Sequence, residues 1–364
     1  MGKAHDLSRR SFLGAAAGTA TAAAIGATAS PAMAAGGVTH GQPQPEGQAG
    51  PTAAGHGGES VAAITYRTTS RPSWVPDDFV APKNARQQFL TIDAIDGFKV
   101  DAVLFEPRNK RPSDTTLVLR VHGSGGNYLG FEMPGLSAAG YAVLAINTRQ
   151  HDDHGETDNF FDIRKDIEAA FFTAVGLGYK KIVLNGRSLG NIQVQFYAAT
   201  NWDPRIRGVI LPSMFAKLPW KSRHLLTQDE QNYNQLFDES MQFLAAGRAD
   251  EILPTEMRGG GGSPSRTGPV TGQHFLSYRW EATSAADGTY WIKRIPFPIL
   301  MMRGDQDTTI RDFEPNWLLA EANSEGSLVP SIKFVEIPGG SHSLNENPEA
   351  VLEAEVSWLK SLGL

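Results

Sequence analysis

The chain has 364 residues, 41% of them hydrophobic, with 33 Lys and Arg against 39 Asp and Glu and no cysteine. Length and apolar share suffice for a real core and exclude disorder throughout, while the missing cysteines exclude disulfides, thiolate nucleophiles and zinc ribbons. A net charge of -6 argues against general nucleic-acid binding, which comes mostly from neutralising phosphates with Lys and Arg.

Ser8-Arg9-Arg10-Ser11-Phe12-Leu13 precedes an uncharged run of Ala, Gly and Thr to Ala29, followed by Ala32-Met33-Ala34. Paired arginines, a weakly apolar run and small residues at a cleavage site resemble a twin-arginine export signal over 1–34, with the export machinery as the precursor's partner. The other reading is an uncleaved anchor, disfavoured because Ala, Gly and Thr insert poorly into a bilayer. The mature chain is thus expected in the periplasm or outside the cell, with no stable membrane insertion. Residues 35–60 are Gly, Pro, Gln and Ala with few large apolar side chains, and read as a disordered spacer.

From there to residue 364 one domain is predicted. Gln88–Ile92 and Phe98–Phe105 flank the turn dipeptide Asp96-Gly97 and read as an antiparallel pair. Short runs rich in Val, Ile and Leu follow at Leu117–Val121, Tyr141–Ile146, Lys181–Leu184, Gly208–Leu211, Pro298–Met302 and Ile332–Ile337. They fit strands of a parallel sheet buried on both faces. Helical patterns lie between them at about Phe161–Val175, Asn191–Thr200, Ile310–Ala322 and Pro348–Leu362. The alternation means α/β. About 213–295 breaks it: Lys217–Arg248 reads as largely helical, Gly259–Pro264 as a flexible joint and Gln273–Tyr290 as aromatic-rich. A structureless loop of that length is improbable, so this stretch is expected to be a largely helical cap inserted over the sheet.

Gly186-Arg187-Ser188-Leu189-Gly190 stands between a predicted strand and a predicted helix. G-x-S-x-G in that context is a nucleophile elbow: the turn is too tight for side chains beside the serine, which it thrusts up at a helix N-terminus. Ser188 then needs a base, and the base an orienting carboxylate. Asp305 and Asp307 follow one late strand and His342 follows the next, at the sheet edge where open α/β folds place their ligands. Leu119–Asn127 ends another strand in His122-Gly123-Ser124-Gly125-Gly126; no Lys-Ser/Thr follows to make a phosphate loop, and Tyr128 spoils G-x-G-x-x-G. Arg149-Gln150-His151-Asp152-Asp153-His154-Gly155-Glu156 has three readings: a solvated loop, a metal site or a substrate contact.

From about Gln88 to the C-terminus the chain resembles the α/β-hydrolase superfamily, in its serine esterase and lipase-like branch. The resemblance implies a mostly parallel eight-stranded sheet flanked by helices. By its pattern the acid follows the seventh strand, where Asp307 fits better than Asp305. The oxyanion donors are the backbone N–H groups of Ser124 and Leu189, with Gly125 as second choice, and the His122 side chain is structural. The catalytic set is then Ser188, Asp307 and His342. The reaction expected is hydrolysis of a small-molecule carboxylic ester, lactones included, through an acyl-enzyme, without metal or cofactor. A peptidase or amidase with the same triad is the alternative, and a non-catalytic exported binding protein of the same fold the reading from a different class. Trp220, Phe237, Phe243, Phe275, Tyr278, Trp280 and Trp291 of the cap either line an apolar pocket above Ser188 or pack the cap itself.

Overall fold

The structure is a computed structural model and describes residues 65–130, 133–257 and 269–364. The export signal at 1–34, the spacer at 35–60 and the glycine joint at 259–264 lie outside the described residues.

Among the described residues nine strands form one sheet: β1 (Tyr66–Thr69), β2 (Ala85–Asp93), β3 (Lys99–Pro107), β4 (Thr116–Val121), β5 (Ala142–Asn147), β6 (Lys181–Gly186), β7 (Ile206–Pro212), β8 (Ile299–Gly304) and β9 (Ile332–Ile337). Their order is β1-β2-β3-β5-β4-β6-β7-β8-β9. The strands from β5 through β4 to β9 pair in parallel; β1, β2 and β3 are antiparallel to their neighbours, and β3 joins β5 antiparallel. The α/β fold and mostly parallel sheet predicted from the alternation are therefore present. The strand count is corrected from eight to nine. β1 escapes the pattern because three of its four residues are exposed, so no buried face imposes a period of two.

The helices are α1 (Met133–Ala138), α2 (Ile163–Gly176), α3 (Leu189–Thr200), α4 (Leu218–Lys221), α5 (Glu230–Ala245), α6 (Gly272–His274), α7 (Gly288–Ile292), α8 (Phe313–Ala322) and α9 (Pro348–Ser361). Side chains alternate across each strand, which fills two layers at once. Leu117, Leu119 and Val121 of β4 and Leu144 and Ile146 of β5 face a core shared with Ile167 and Phe171 of α2, Val194 of α3 and Leu318 of α8. Val118, Val143, Val183 and Leu300 point the other way, onto Met133 and Leu136 of α1 and Trp358 and Leu359 of α9. Each fully buried side chain of this size contributes about 1.5–3 kcal/mol. β9 departs from the expectation of burial on both faces. It is an edge strand, and Lys333 and Glu336 are exposed.

The segment between β7 and β8 is built of α4, α5, α6 and α7, with π-helical turns at Ser222–Leu226 and Phe275–Arg279. Tyr233, Leu236, Leu253, Met257, Val270 and Phe275 give it a core of its own. Phe215, Leu218 and Tyr278 seat it on Phe160 and on Leu189, Ile192 and Phe196. Among the described residues no helix is long and apolar enough to cross a membrane.

Candidate active site

β6 ends at Gly186 and α3 begins at Leu189, so Arg187 and Ser188 make the whole turn. Ser188 has φ 53° and ψ -121°, a conformation that costs a non-glycine residue roughly 1–3 kcal/mol and persists only when its surroundings impose it. The surroundings are backbone: Arg187 N–H donates to Val121 O at 3.0 Å and Ser188 N–H to Pro212 O at 3.2 Å. A Cβ on Gly186 would lie 2.1 Å from Gly190 O, and one on Gly190 would lie 2.5 Å from the carbonyl oxygens of both Val121 and His122. The two motif glycines thus let strand, turn and helix close up, the reason the sequence pattern requires them.

The loop after β9 brings His342 to the serine, with Nε2 2.9 Å from Ser188 Oγ and Nδ1 2.9 Å from Asp307 Oδ2. Oδ1 of Asp307 accepts from Thr309 N–H at 2.8 Å and Ile310 N–H at 3.0 Å. Burial opposes ionisation of this carboxyl, but His342 and the two N–H groups together hold it below the usual carboxylate range. Bonds to backbone carbonyls lock the loops: Gln306 N–H donates to Gly340 O at 2.9 Å, and the Ser213 side-chain hydroxyl to His342 O at 2.7 Å. Asp305 is turned elsewhere, its Oδ1 accepting from Gly339 N–H at 2.8 Å. Sequence reasoning missed Ser213, which carries no signal beyond its place at a strand end.

Ser124, Ser188 and His342 line one cleft of about 280 Å³. Leu189 is the first residue of α3, where an N–H has no intrahelical acceptor. Gly125 N–H is engaged by Gln150 O at 3.2 Å, which removes the second-choice donor. The Ser124 hydroxyl donates to Gly155 O and Glu156 Oε1, both at 3.2 Å. His122 is buried; Nδ1 contacts Gly123 O at 2.7 Å, and Nε2 accepts from Thr148 N–H at 3.0 Å. Those bonds assign the proton to Nδ1. Burial pushes the ring down to about 4, so it is a neutral tie between the β4 and β5 loops.

The polar run after β5 divides among structural partners. Arg149 makes a buried pair with Asp166 at 2.7 Å, and Gln150 donates to Tyr278 Oη at 2.7 Å. Asp152 accepts from Asn127 at 2.9 Å, and Glu156 pairs with Arg279 at 2.6 Å. Of the two readings of the cap aromatics, packing is the one their contacts bear out. Phe237, Phe243 and Trp280 pack around the inner core of the insertion, Tyr278 and Trp291 belong to the layer beneath it, and Trp220 packs against Phe313. The cleft wall at Ser188 is instead His122, Ser124, Asn127 and Arg187 with three glycines.

Residues 117–354, well over half of the chain, match the family model described as "Alpha/beta hydrolase family". Among solved structures, Est1E from Butyrivibrio proteoclasticus, with ferulic acid bound, is similar at a TM-score of 0.56 and 21% identity, over 74% of this chain and 98% of that one. A thermostable carboxyl esterase from Bacillus coagulans, in complex with glycerol, has a TM-score of 0.56 and 18% identity, over 76% of this chain and 99% of that one. At these identities the likeness bears on the fold alone. Among curated proteins none matches the chain in sequence.

Proposed function

Since the chain belongs to the alpha/beta hydrolase family, we propose that it is a serine hydrolase cleaving a carboxylic ester, with Ser188, His342 and Asp307 as its catalytic triad. The observation that carries the reading is the unbroken relay in which His342 bridges Ser188 Oγ and Asp307, 2.9 Å from each. His342 takes the Ser188 proton as the oxygen attacks the acyl carbonyl, and Asp307 fixes the ring tautomer and stabilises the imidazolium. The tetrahedral oxyanion is held by the N–H groups of Ser124 and Leu189, the latter at the positive end of α3. His342 then protonates the leaving alcohol, and as base it activates the water that releases the acid.

In the same proposal, the segment at about 213–295 is a cap on the catalytic domain. The paired arginines at Arg9-Arg10 send the precursor through the twin-arginine route, so that the enzyme works in the periplasm or outside the cell.

The test is labelling by a serine-directed fluorophosphonate, with turnover of aryl esters, lactones and aminoacyl amides by the purified chain. Labelling at Ser188 that disappears in Ser188→Ala, together with ester turnover, is the expected result. Equal labelling of both proteins overturns the nucleophile, and turnover of amides alone replaces the esterase reading with an amidase.

A further inference from the structure

We infer that Arg187 is a specificity-determining residue that binds a carboxylate carried by the ester substrate; the inference rests on the serine-hydrolase reading of the site and names its substrate class. Arg187 is the first of the two variable residues of the G-x-S-x-G motif, directly before Ser188. Its side chain lines the cleft shared with Ser188 and His342 and also an adjoining cavity of about 110 Å³.

Among the described residues, Arg187 shares its lack of an ion pair with the partly buried Arg71, Arg294 and Arg311, but it alone of these lines the cleft at Ser188. Arg120, Arg149, Arg279 and Arg303 are all buried, and each forms an ion pair with a carboxylate at 2.6 or 2.7 Å. Arg187 is partly buried, and among the described residues its one hydrogen bond runs from Nη1 to Gly130 O at 2.7 Å, with no carboxylate in ion-pair range. A guanidinium carries five donors in a planar fork shaped for a carboxylate, so most of this fork is unmatched among the described residues.

Nearby acids are engaged elsewhere. Glu346 accepts from Ser341 N–H at 3.0 Å and Ser341 Oγ at 2.7 Å. Asp307 is bonded to His342, and Glu355 to Arg120 and Asn185. Burial, with Arg120 nearby, pulls the guanidinium's pKa below its ordinary value, the direction an incoming anion would reverse. Among the described residues no aromatic side chain of the insertion lines the cleft at Ser188: they pack in the insertion's own core, on Phe160 and Phe196, or against Phe313. Among the described residues the lining at Ser188 thus offers a guanidinium and no large aliphatic or aromatic hydrocarbon side chain, which suits a charged ester; Leu344 and Val351 line only the adjoining cavity.

Two matched ester pairs test this. One puts the charge on the acyl side, 4-nitrophenyl hydrogen adipate against 4-nitrophenyl hexanoate. The other puts it on the alcohol side, 4-acetoxybenzoate against 4-methylphenyl acetate. The ratio of kcat/KM for the charged over the neutral ester is expected to exceed one for at least one pair. It should fall by about tenfold or more in Arg187→Met, with Arg187→Lys between, because a charge-assisted bidentate contact is lost. A wild-type ratio at or below one for both pairs overturns the inference, as does a ratio unchanged in Arg187→Met. Should that variant fail to fold, the wild-type ratio itself must fall as ionic strength rises, since screening weakens the contact; a ratio indifferent to salt overturns the inference. Labelling of Ser188 in the same wild-type preparation separates the two failures. With Ser188 labelled, a failed ratio removes only the role of Arg187; with Ser188 unlabelled, the serine-hydrolase reading fails and takes this inference with it.

Discussion

Arg279, on the π-helical turn of the segment between β7 and β8, grips Glu156 of the loop after β5, with Nη2 2.7 Å and 2.6 Å from the two carboxylate oxygens and Nε 3.0 Å from Oε2. The same carboxylate accepts the Ser124 hydroxyl at 3.2 Å. The insertion is therefore wired through one largely buried ion pair to the residue proposed to hold the oxyanion. Burial alone would keep Glu156 neutral, yet Arg279, with His274 beside it, brings its carboxyl down to about 2.

Removing the cation should leave that charge buried and unpaired. Arg279→Met is expected to lower the unfolding free energy at neutral pH by about 3–5 kcal/mol, read from urea denaturation, and to reduce ester turnover through the displaced Ser124 loop. The pH dependence has a defined sign. The folded-state pKa of Glu156 is depressed from 4.5 to about 2, so its contribution is fully present above the unfolded value and fades as pH falls through that window. The stability gap between wild type and Arg279→Met should therefore narrow between pH 4.5 and 2. A gap of constant size across that range would show that Arg279 acts by packing alone.

Asp158 makes the opposite prediction. Burial, more than any neighbour, raises its carboxyl from 3.8 to about 6. A group whose folded-state pKa is raised binds its proton more tightly when folded. Stability is thus highest below the unfolded value and declines as pH rises through the folded one. Asp158→Asn, which keeps the shape and loses the charge, should raise the thermal midpoint at pH 8 and leave it nearly unchanged at pH 4. Identical effects at both values would remove the burial of charge as the cause.

How much of this was legible in the sequence follows from how local each signal is. The elbow at Ser188 is a strand, a tight turn and a helix within the span 181–200, and all three are written in neighbouring side chains; the late strands deliver Asp307 and His342 to the same edge by topology. Thr148, Ser213 and Arg279 hold the site through contacts made between distant segments, so nothing near them in the chain marks them. The aromatic residues of the insertion show the limit most sharply. Phe237 and Trp280 could face the cleft or each other; in the fold their rings stack at 3.8 Å between centroids. Arg187 sat inside the most legible motif and stayed unread, because the elbow constrains the glycines and the serine but leaves its neighbour free.

Asp305 and Asp307 are two residues apart and carry the same functional group, so geometry alone separates them. Asp307 meets His342 Nδ1, while Asp305 accepts the Gly339 N–H in the turn that carries His342. Asparagine in place of Asp307 keeps a neutral acceptor but cannot stabilise the imidazolium and can favour the wrong ring tautomer, so Asp307→Asn is expected to lower kcat by about 10³ to 10⁴-fold with little change in KM. Asp305→Asn keeps an oxygen for Gly339 and should cost less than about tenfold. Asp305→Ala loses the bond altogether and should destabilise the turn by about 1 kcal/mol, with activity following the displaced His342. Parallel ester kinetics and thermal melts of the three variants check the assignment. A larger loss of kcat in Asp305→Asn than in Asp307→Asn would reverse it, making the carboxylate that pins the turn the one that serves the reaction.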